Sequence, residues 1–227
     1  MVSLVELSSE MMIKPPEGCR GKFCDGGYVP DLSMPVYWEI CPLDGPACPF
    51  HRQRLLRPLG IGERYQAASI EQIANDGSKA IVQSYVDSIG ESVSEGKGLY
   101  IEGGVGVGKT SILALVAYAA VVAGYSVAYW YAGSLFDRLH RQDEAATDLA
   151  YQCDLLLLDD FGVQYSADWT VTRFDALIEH RYANQKAMCI TTNVSREELE
   201  DSDTWCRVYD RWKEMCEGIS AGRESMR

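Results

Sequence analysis

The stretch Gly103-Gly104-Val105-Gly106-Val107-Gly108-Lys109-Thr110 decides the fold. It matches G-x-x-x-x-G-K-[ST], the phosphate-binding loop that joins a strand to a helix. The flanking residues predict that context, because Leu99-Tyr100-Ile101 indicates a buried strand and the segment Ser111 to Ala123 indicates a helix ended by Gly124. The alternative, a glycine-rich turn before a core helix, does not require all the fixed positions of the motif. We therefore predict an α/β nucleotide-binding domain.

The chemistry of this loop points to a nucleoside triphosphate with magnesium. Glycines let backbone N–H groups face a polyphosphate, and the helix N-terminus adds partial positive charge there. Lys109 would reach the β- and γ-phosphates, and the Thr110 hydroxyl would bind Mg²⁺. The predicted nucleotide contacts are Gly103, Gly104, Val105, Gly106, Val107, Gly108, Lys109, Thr110 and Ser111.

A second motif, Asp154-Leu155-Leu156-Leu157-Leu158-Asp159-Asp160, resembles a Walker B strand. Four consecutive leucines predict a strand buried on both faces, as in a parallel sheet. Two carboxylates then fall at the carboxyl edge, where open α/β sheets bind ligands. Asp159 would hold Mg²⁺, and Asp160 would act as the general base for the attacking water. A buried strand ending in a solvated acidic turn is the alternative.

A further apolar strand is predicted from Ala187 to Thr192, and Asn193 follows it directly. The amide would stand beside the carboxylates and could orient water or the γ-phosphate. A simple strand-ending turn would also account for an asparagine at this position.

Two helices are predicted around that strand. The segment Trp169 to Gln185 has helical spacing, with Phe174, Leu177, Ile178 and Tyr182 on the predicted buried side. The segment Asp203 to Cys216 carries Arg207 and Arg211 four residues apart, and therefore on one face. Arginines on such a helix commonly form a solvated face.

The N-terminal segment differs from the rest of the chain, because it is rich in Gly and Pro and cannot bury much apolar surface. Zinc held by thiolates would stabilise so small a module. We predict that four of five candidate ligands bind it, and the alternative is that the cysteines are free thiols. The candidates are Cys19, Cys24, Cys41, Cys48 and His51. Tyr28, Tyr37 and Trp38 are candidate partner contacts, or they cover the module's own core.

Composition limits the function. The 227-residue chain has a net charge of −12, and from Leu59 onward it carries 15 basic and 26 acidic residues. This balance argues against a protein that depends on non-specific DNA affinity, so any nucleic-acid contact should be weak or local. The longest uncharged apolar run, Ile112 to Ala123, is too short to cross a bilayer, and Met1 to Glu10 does not resemble a signal peptide. We therefore expect a cytoplasmic protein that makes no membrane contact.

Several stretches together resemble one family, the AAA+ proteins of the DnaC/DnaI helicase-loader and IstB transposition-helper group. The resemblance covers roughly residues 60–227, and the N-terminal cysteines resemble the zinc domains of DnaI-type loaders. The matching stretches are GLYIEGGVGVGKT (98–110), DLLLLDDFG (154–162), IEHRY (178–182), CITTNVSREEL (189–199), RVYDRW (207–212) and ESMR (224–227).

The resemblance implies roles for single residues. Asn193 matches sensor 1, and Arg207 matches the arginine finger that reaches a neighbouring subunit's nucleotide. Arg227 matches sensor 2, with Arg223 as a weaker candidate. Asp160 stands where AAA+ proteins in general have Glu, although this group often has Asp.

The resemblance also implies a function, namely ATP-dependent loading of a hexameric replicative helicase, with a phage or prophage origin as one option. ATP would favour self-association and a grip on single-stranded DNA, and hydrolysis to ADP would release the helicase. The domains would be a zinc- and partner-binding module, residues 1–58, and an AAA+ ATPase domain, residues 59–227. The alternatives are an IstB-like transposase-assisting ATPase and a nucleotide-binding adaptor with negligible hydrolysis.

Overall fold

A parallel five-stranded sheet forms the centre of the protein. The computed structural model describes residues 28–30, 38–40, 52, 55–162 and 168–222. The central strands are β3 (Gly98–Glu102), β4 (Val127–Tyr131), β5 (Leu155–Phe161), β6 (Ala187–Thr192) and β7 (Cys216–Ser220). Their order across the sheet is β4-β5-β6-β3-β7, and every neighbouring pair is parallel. Upstream, β1 (Tyr28–Pro30) and β2 (Trp38–Ile40) form a separate antiparallel pair.

Helices connect the central strands and cover both faces of the sheet. They are α1 (Glu63–Gln66), α2 (Asp76–Asp87), α3 (Ile89–Ser94), α4 (Lys109–Val122), α5 (Ala132–His140), α6 (Glu144–Gln152), α7 (Asp168–Ala183), α8 (Arg196–Glu200) and α9 (Cys206–Met215). Short 3-10 helices occur at Arg57–Leu59 and Ile70–Gln72.

Successive side chains of β5 point to opposite faces of the sheet, and the core therefore has two layers. Leu155 and Leu157 pack with α2, α3 and α4 on one face, while Leu156 and Leu158 pack with α5, α7 and α9 on the other. All four leucines are fully buried. The predicted doubly buried strand is therefore confirmed, and its two carboxylates follow at the carboxyl edge of the sheet.

Two details of the predicted helices are wrong. Tyr182 is 42% exposed, while Arg181 takes the buried position one turn after Leu177 and Ile178. The helix predicted from Asp203 to Cys216 is shorter in the structure, where α9 spans Cys206–Met215 and Cys216 begins β7. That fifth strand was not predicted, because Cys216-Glu-Gly-Ile-Ser220 shows neither a long apolar run nor a strict alternation.

Several predicted site residues lie outside the described part of the chain. They are the zinc candidates Cys19, Cys24, Cys41, Cys48 and His51, and the sensor 2 candidates Arg223 and Arg227. Among the described residues, no helix is both long and apolar enough to cross a membrane.

Candidate nucleotide-binding site

The phosphate loop lies between β3 and α4, as the motif predicts. Gly106 and Gly108 have φ angles of 84° and 93°, in the left-handed region that glycine adopts at low cost. Gly108 is the N-cap residue of α4, so the free N–H groups of the first helical turn face the loop. The N–H of Gly104 donates to the carbonyl of Gly222, 3.0 Å away, which joins the loop to the segment after β7.

Lys109, the first residue of α4, points back over its own loop. Its Nζ donates to the carbonyl oxygens of Gly103 and Gly104, at 2.7 and 2.8 Å. Desolvation lowers the pKa of Lys109, and the charges of Asp160 and Asp159 act in the opposite direction. The ammonium group is thus held next to the cradle in which a phosphate would lie.

Asp159, at the end of β5, is 2% exposed and has hydrogen-bond partners on both carboxylate oxygens. Its Oδ2 accepts from the Thr110 hydroxyl at 2.9 Å and from the Tyr129 hydroxyl at 2.7 Å. Its Oδ1 accepts from the Thr191 hydroxyl. Burial, together with the charge of Asp159, raises the pKa of Tyr129 far above its ordinary value, so the phenol stays protonated and donates.

Asp160 and Asn193 face the same cleft as the phosphate loop. Asp160 is exposed and has a φ of 58°, which is rare for a residue other than glycine. Its N–H donates to the Thr191 hydroxyl at 2.8 Å. Asn193 follows β6 and is also exposed. The residues predicted from separate motifs therefore meet at one edge of the sheet.

The cleft encloses about 670 Å³, which suits a nucleotide-sized ligand. Its second wall comes from the segment before α2, which the sequence did not single out. The lining residues from that segment are Arg64, Tyr65, Ser69, Gln72 and Ile73. In that segment Ser69 and Gln72 form a capping box at the start of the 3-10 helix Ile70–Gln72.

The two arginines of α9 lie in different surroundings. Arg211 forms ion pairs with Asp175, at 3.0 Å, and with Glu179, both on α7. The Arg207 side chain is exposed and does not line the cleft of its own chain. Of the two, Arg207 is the one whose charge is available to another molecule.

The residues of the cleft fit a magnesium ion better than a softer metal. Thr110 Oγ1 and Asp159 Oδ2 are hard oxygen donors 2.9 Å apart, directly behind the phosphate loop. Within the described ranges, no group of three or more His, Cys, Asp or Glu side chains is arranged to hold a metal. The zinc candidates lie outside those ranges.

The sheet order and the loop define the class of this protein. The phosphate-loop strand β3 and the acidic strand β5 are separated by β6, with helices on both faces. This is the α/β fold of AAA+ nucleotide-binding proteins, and solved structures of that class match it. The profile of the IstB-like ATP binding protein family matches residues 72–227, so the chain belongs to that family.

The chain is also similar to proteins described as helicase loaders. The chain is 27% identical over 195 residues to the replicative helicase loader DnaI of Bacillus subtilis (strain 168), which covers 79% of this chain and 63% of DnaI. It therefore spans less than two thirds of that relative's length. A crystal structure of the DnaC helicase loader matches with a TM-score of 0.60 at 26% identity, over 70% of this chain and 99% of that one. A DnaI crystal structure matches with a TM-score of 0.63 at 21% identity, over 75% and 100%.

Proposed function

We propose that this protein is an AAA+ ATPase that loads a hexameric replicative helicase onto DNA. The proposal rests on one observation. This chain is similar to DnaI, and its phosphate loop, paired carboxylates and Asn193 all line one cleft. A structural relative that had lost its nucleotide chemistry would not need all of these groups at that cleft.

The nucleotide would lie in the cleft with its phosphates on the loop. Lys109 would exchange its two loop carbonyls for phosphate oxygens, and Asn193 would orient the attacking water. Asp160 would accept a proton from that water. Mg²⁺ held by Thr110 and Asp159 would neutralise phosphate charge when bound. Hydrolysis to ADP would then end the state in which the loader holds its partner.

Self-association of the protein would complete each nucleotide site with a residue from a neighbouring subunit. Arg207 would reach the nucleotide of a neighbouring subunit, which its exposed position in α9 supports. We further propose that Arg227 serves as sensor 2, with Arg223 as the alternative. Residues 1–58 would form a zinc module that carries the helicase contact, and residues 59–227 the ATPase domain. Contact with single-stranded DNA would be weak or local, because the ATPase part is acidic.

Co-purification tests the choice of partner. The tagged full-length protein, expressed in its producing cell, should retain a hexameric helicase in ATP and release it in ADP. The matched control is the Lys109→Ala variant, which should not show that nucleotide dependence. Recovery of a transposase instead would support the second candidate, a transposase-assisting ATPase, which the IstB-like family favours.

Phosphate release tests the enzymatic part separately. The purified protein should hydrolyse ATP at a measurable rate that changes when single-stranded DNA or the helicase is added. Tight ATP binding without phosphate release under any of these conditions would identify a nucleotide-binding adaptor instead.

A further inference from the structure

Tyr129, on β4, makes a contact that the nucleotide chemistry described above does not use. Its side chain is 8% exposed, and its hydroxyl lies 2.7 Å from Asp159 Oδ2. A carboxylate only accepts hydrogen bonds, so the phenol is the donor. The same Oδ2 accepts from Thr110, so Tyr129 donates to the oxygen that also bonds the other proposed magnesium ligand.

Thr191, on β6, holds the other side of the same carboxylate. Its hydroxyl donates to Asp159 Oδ1 and accepts the N–H of Asp160 at 2.8 Å. Thr191 is fully buried. The Thr191 hydroxyl therefore links the carboxylate of Asp159, the proposed magnesium ligand, to the backbone of Asp160, the proposed general base.

The sheet order explains why these two residues act together. Strand β5 lies between β4 and β6, so Tyr129 and Thr191 reach Asp159 from opposite sides. With a donor on each oxygen, the carboxylate cannot rotate without losing a buried hydrogen bond. Thr191 in addition supports the left-handed backbone of Asp160, at a φ of 58°.

We propose that Tyr129 and Thr191 are positioning residues of the nucleotide site. Tyr129 fixes the orientation of Asp159 and so sets how much magnesium nucleotide binding requires. Thr191 fixes Asp159 in the same way and also holds Asp160 in its hydrolytic position. The inference rests on the proposed function, because it assigns roles within that same site.

Tyr129→Phe tests the first part, since it removes only the hydroxyl. Binding of a fluorescent ATP analogue is measured during a Mg²⁺ titration and in EDTA. Loss of an outer partner of a metal ligand typically costs about 10- to 100-fold in metal affinity, so the half-saturating Mg²⁺ concentration should rise at least about tenfold. Nucleotide affinity in EDTA should stay within about twofold of the wild type, because the phosphate loop is unchanged.

Tyr85→Phe is the matched control. Tyr85 is also buried, and its hydroxyl donates to the Lys97 carbonyl at 2.8 Å, away from the cleft lining. This variant should lose thermal stability without any change in the magnesium requirement. If Tyr129→Phe behaves in the same way as Tyr85→Phe, its hydroxyl is purely structural and the inference is wrong.

Thr191→Val and Thr191→Ser test the second part, whether or not Tyr129→Phe folds. Valine should raise the magnesium requirement and lower the rate of phosphate release at saturating Mg²⁺, whereas serine, which keeps the hydroxyl, should restore both. Equal behaviour of the two variants would overturn the role of the hydroxyl. A wild-type protein without magnesium-dependent nucleotide binding would contradict the proposed function itself.

Discussion

Lys109 makes the most direct side-chain contacts with the phosphate loop. Its ammonium group bonds two carbonyls of the loop it serves, and both interactions can be exchanged for phosphate oxygens. We predict that Lys109→Ala weakens ATP binding by roughly 10- to 100-fold, since a charge-assisted hydrogen bond contributes about 1.5–3 kcal/mol.

The Asp160→Asn variant should bind ATP like the wild type and hydrolyse it slowly, because only the proton acceptor changes.

Nucleotide affinity and single-turnover phosphate release, measured on both variants, separate these roles. Lys97→Ala is a control, because that lysine is exposed on the surface. Equal losses of affinity in Lys109→Ala and Asp160→Asn would mean that the carboxylates have been assigned to the wrong roles.

The site residues that could be predicted from the sequence are those that belong to a short contiguous motif. The phosphate loop and the aspartates after four leucines are recognisable because each sits next to its own strand or helix in the chain. Tyr129 and Thr191 were missed because their contacts with Asp159 arise from strand order. Tyr129 lies 30 residues before Asp159, and only the β4-β5-β6 neighbourhood brings the two side chains together.

Arg181 joins α7 to the N-terminal edge of the sheet. Its guanidinium is fully buried and donates to the carbonyls of Ala150, Cys153, Asp154 and Ala187. These carbonyls lie at the end of α6 and at the beginnings of β5 and β6. The helical spacing correctly located the buried stripe of α7, but hydropathy alone placed Tyr182 there and could not recognise a buried arginine bonded to backbone.

We predict that Arg181→Met lowers the free energy of unfolding by about 3 kcal/mol or more, because several buried carbonyls lose their donor at once. Urea denaturation monitored by circular dichroism measures the change. Arg141→Met, at the exposed end of α5, should change the free energy by less than about 0.5 kcal/mol. Similar effects of the two substitutions would show that the backbone contacts of Arg181 are not important for stability.

Helix α9 presents two arginines, Arg207 and Arg211, for which we expect different roles. Arg207→Ala should reduce the ATPase rate of the assembled protein by roughly 10³-fold while leaving ATP affinity intact, as expected for an arginine that acts on a neighbour's nucleotide. Arg211→Ala should instead lower stability, because Arg211 pairs with Asp175 and Glu179 on α7.

Mixing inactive variants tests whether Arg207 acts between subunits. Lys109→Ala subunits keep Arg207, and Arg207→Ala subunits keep an intact phosphate loop. A mixture of the two should therefore regain part of the activity that each lacks alone. If no mixing ratio restores phosphate release, Arg207 does not act in trans.

For the whole molecule, the cysteines provide a test of the zinc prediction. In the described part of the chain, Cys153, Cys189 and Cys216 are buried free thiols, and Cys206 is partly exposed. Burial raises the pKa of Cys189 to about 12, which keeps that thiol unreactive near neutral pH. We predict one zinc per chain by elemental analysis, and few reactive thiols in the native protein until a chelator removes the metal. Freely titrating N-terminal thiols without zinc would contradict this.

The proposed division of the chain into a helicase-binding module and an ATPase domain can be tested with fragments. The boundary at residues 58 and 59 remains a prediction, but Leu56 packs in the core under α4, and Arg52 lies over the Tyr118 ring and bonds the Ala68 carbonyl. A fragment that begins at Leu59 would therefore lose part of its own core. A fragment from Arg52 onward avoids this, and we expect it to bind nucleotide like the full chain but to lose the helicase.

A carrier protein fused to residues 1–51 should retain the helicase in zinc and lose it after chelation, because the metal would organise the contact surface. In the full-length chain, Trp38→Ala should weaken helicase binding at least about tenfold if that ring is a central anchor, without changing ATP affinity. Both effects are measured by surface plasmon resonance against the immobilised helicase. If the fragment from Arg52 binds the helicase as tightly as the full chain does, the contact lies on the acidic ATPase domain, and basic surfaces of the helicase become the expected complement.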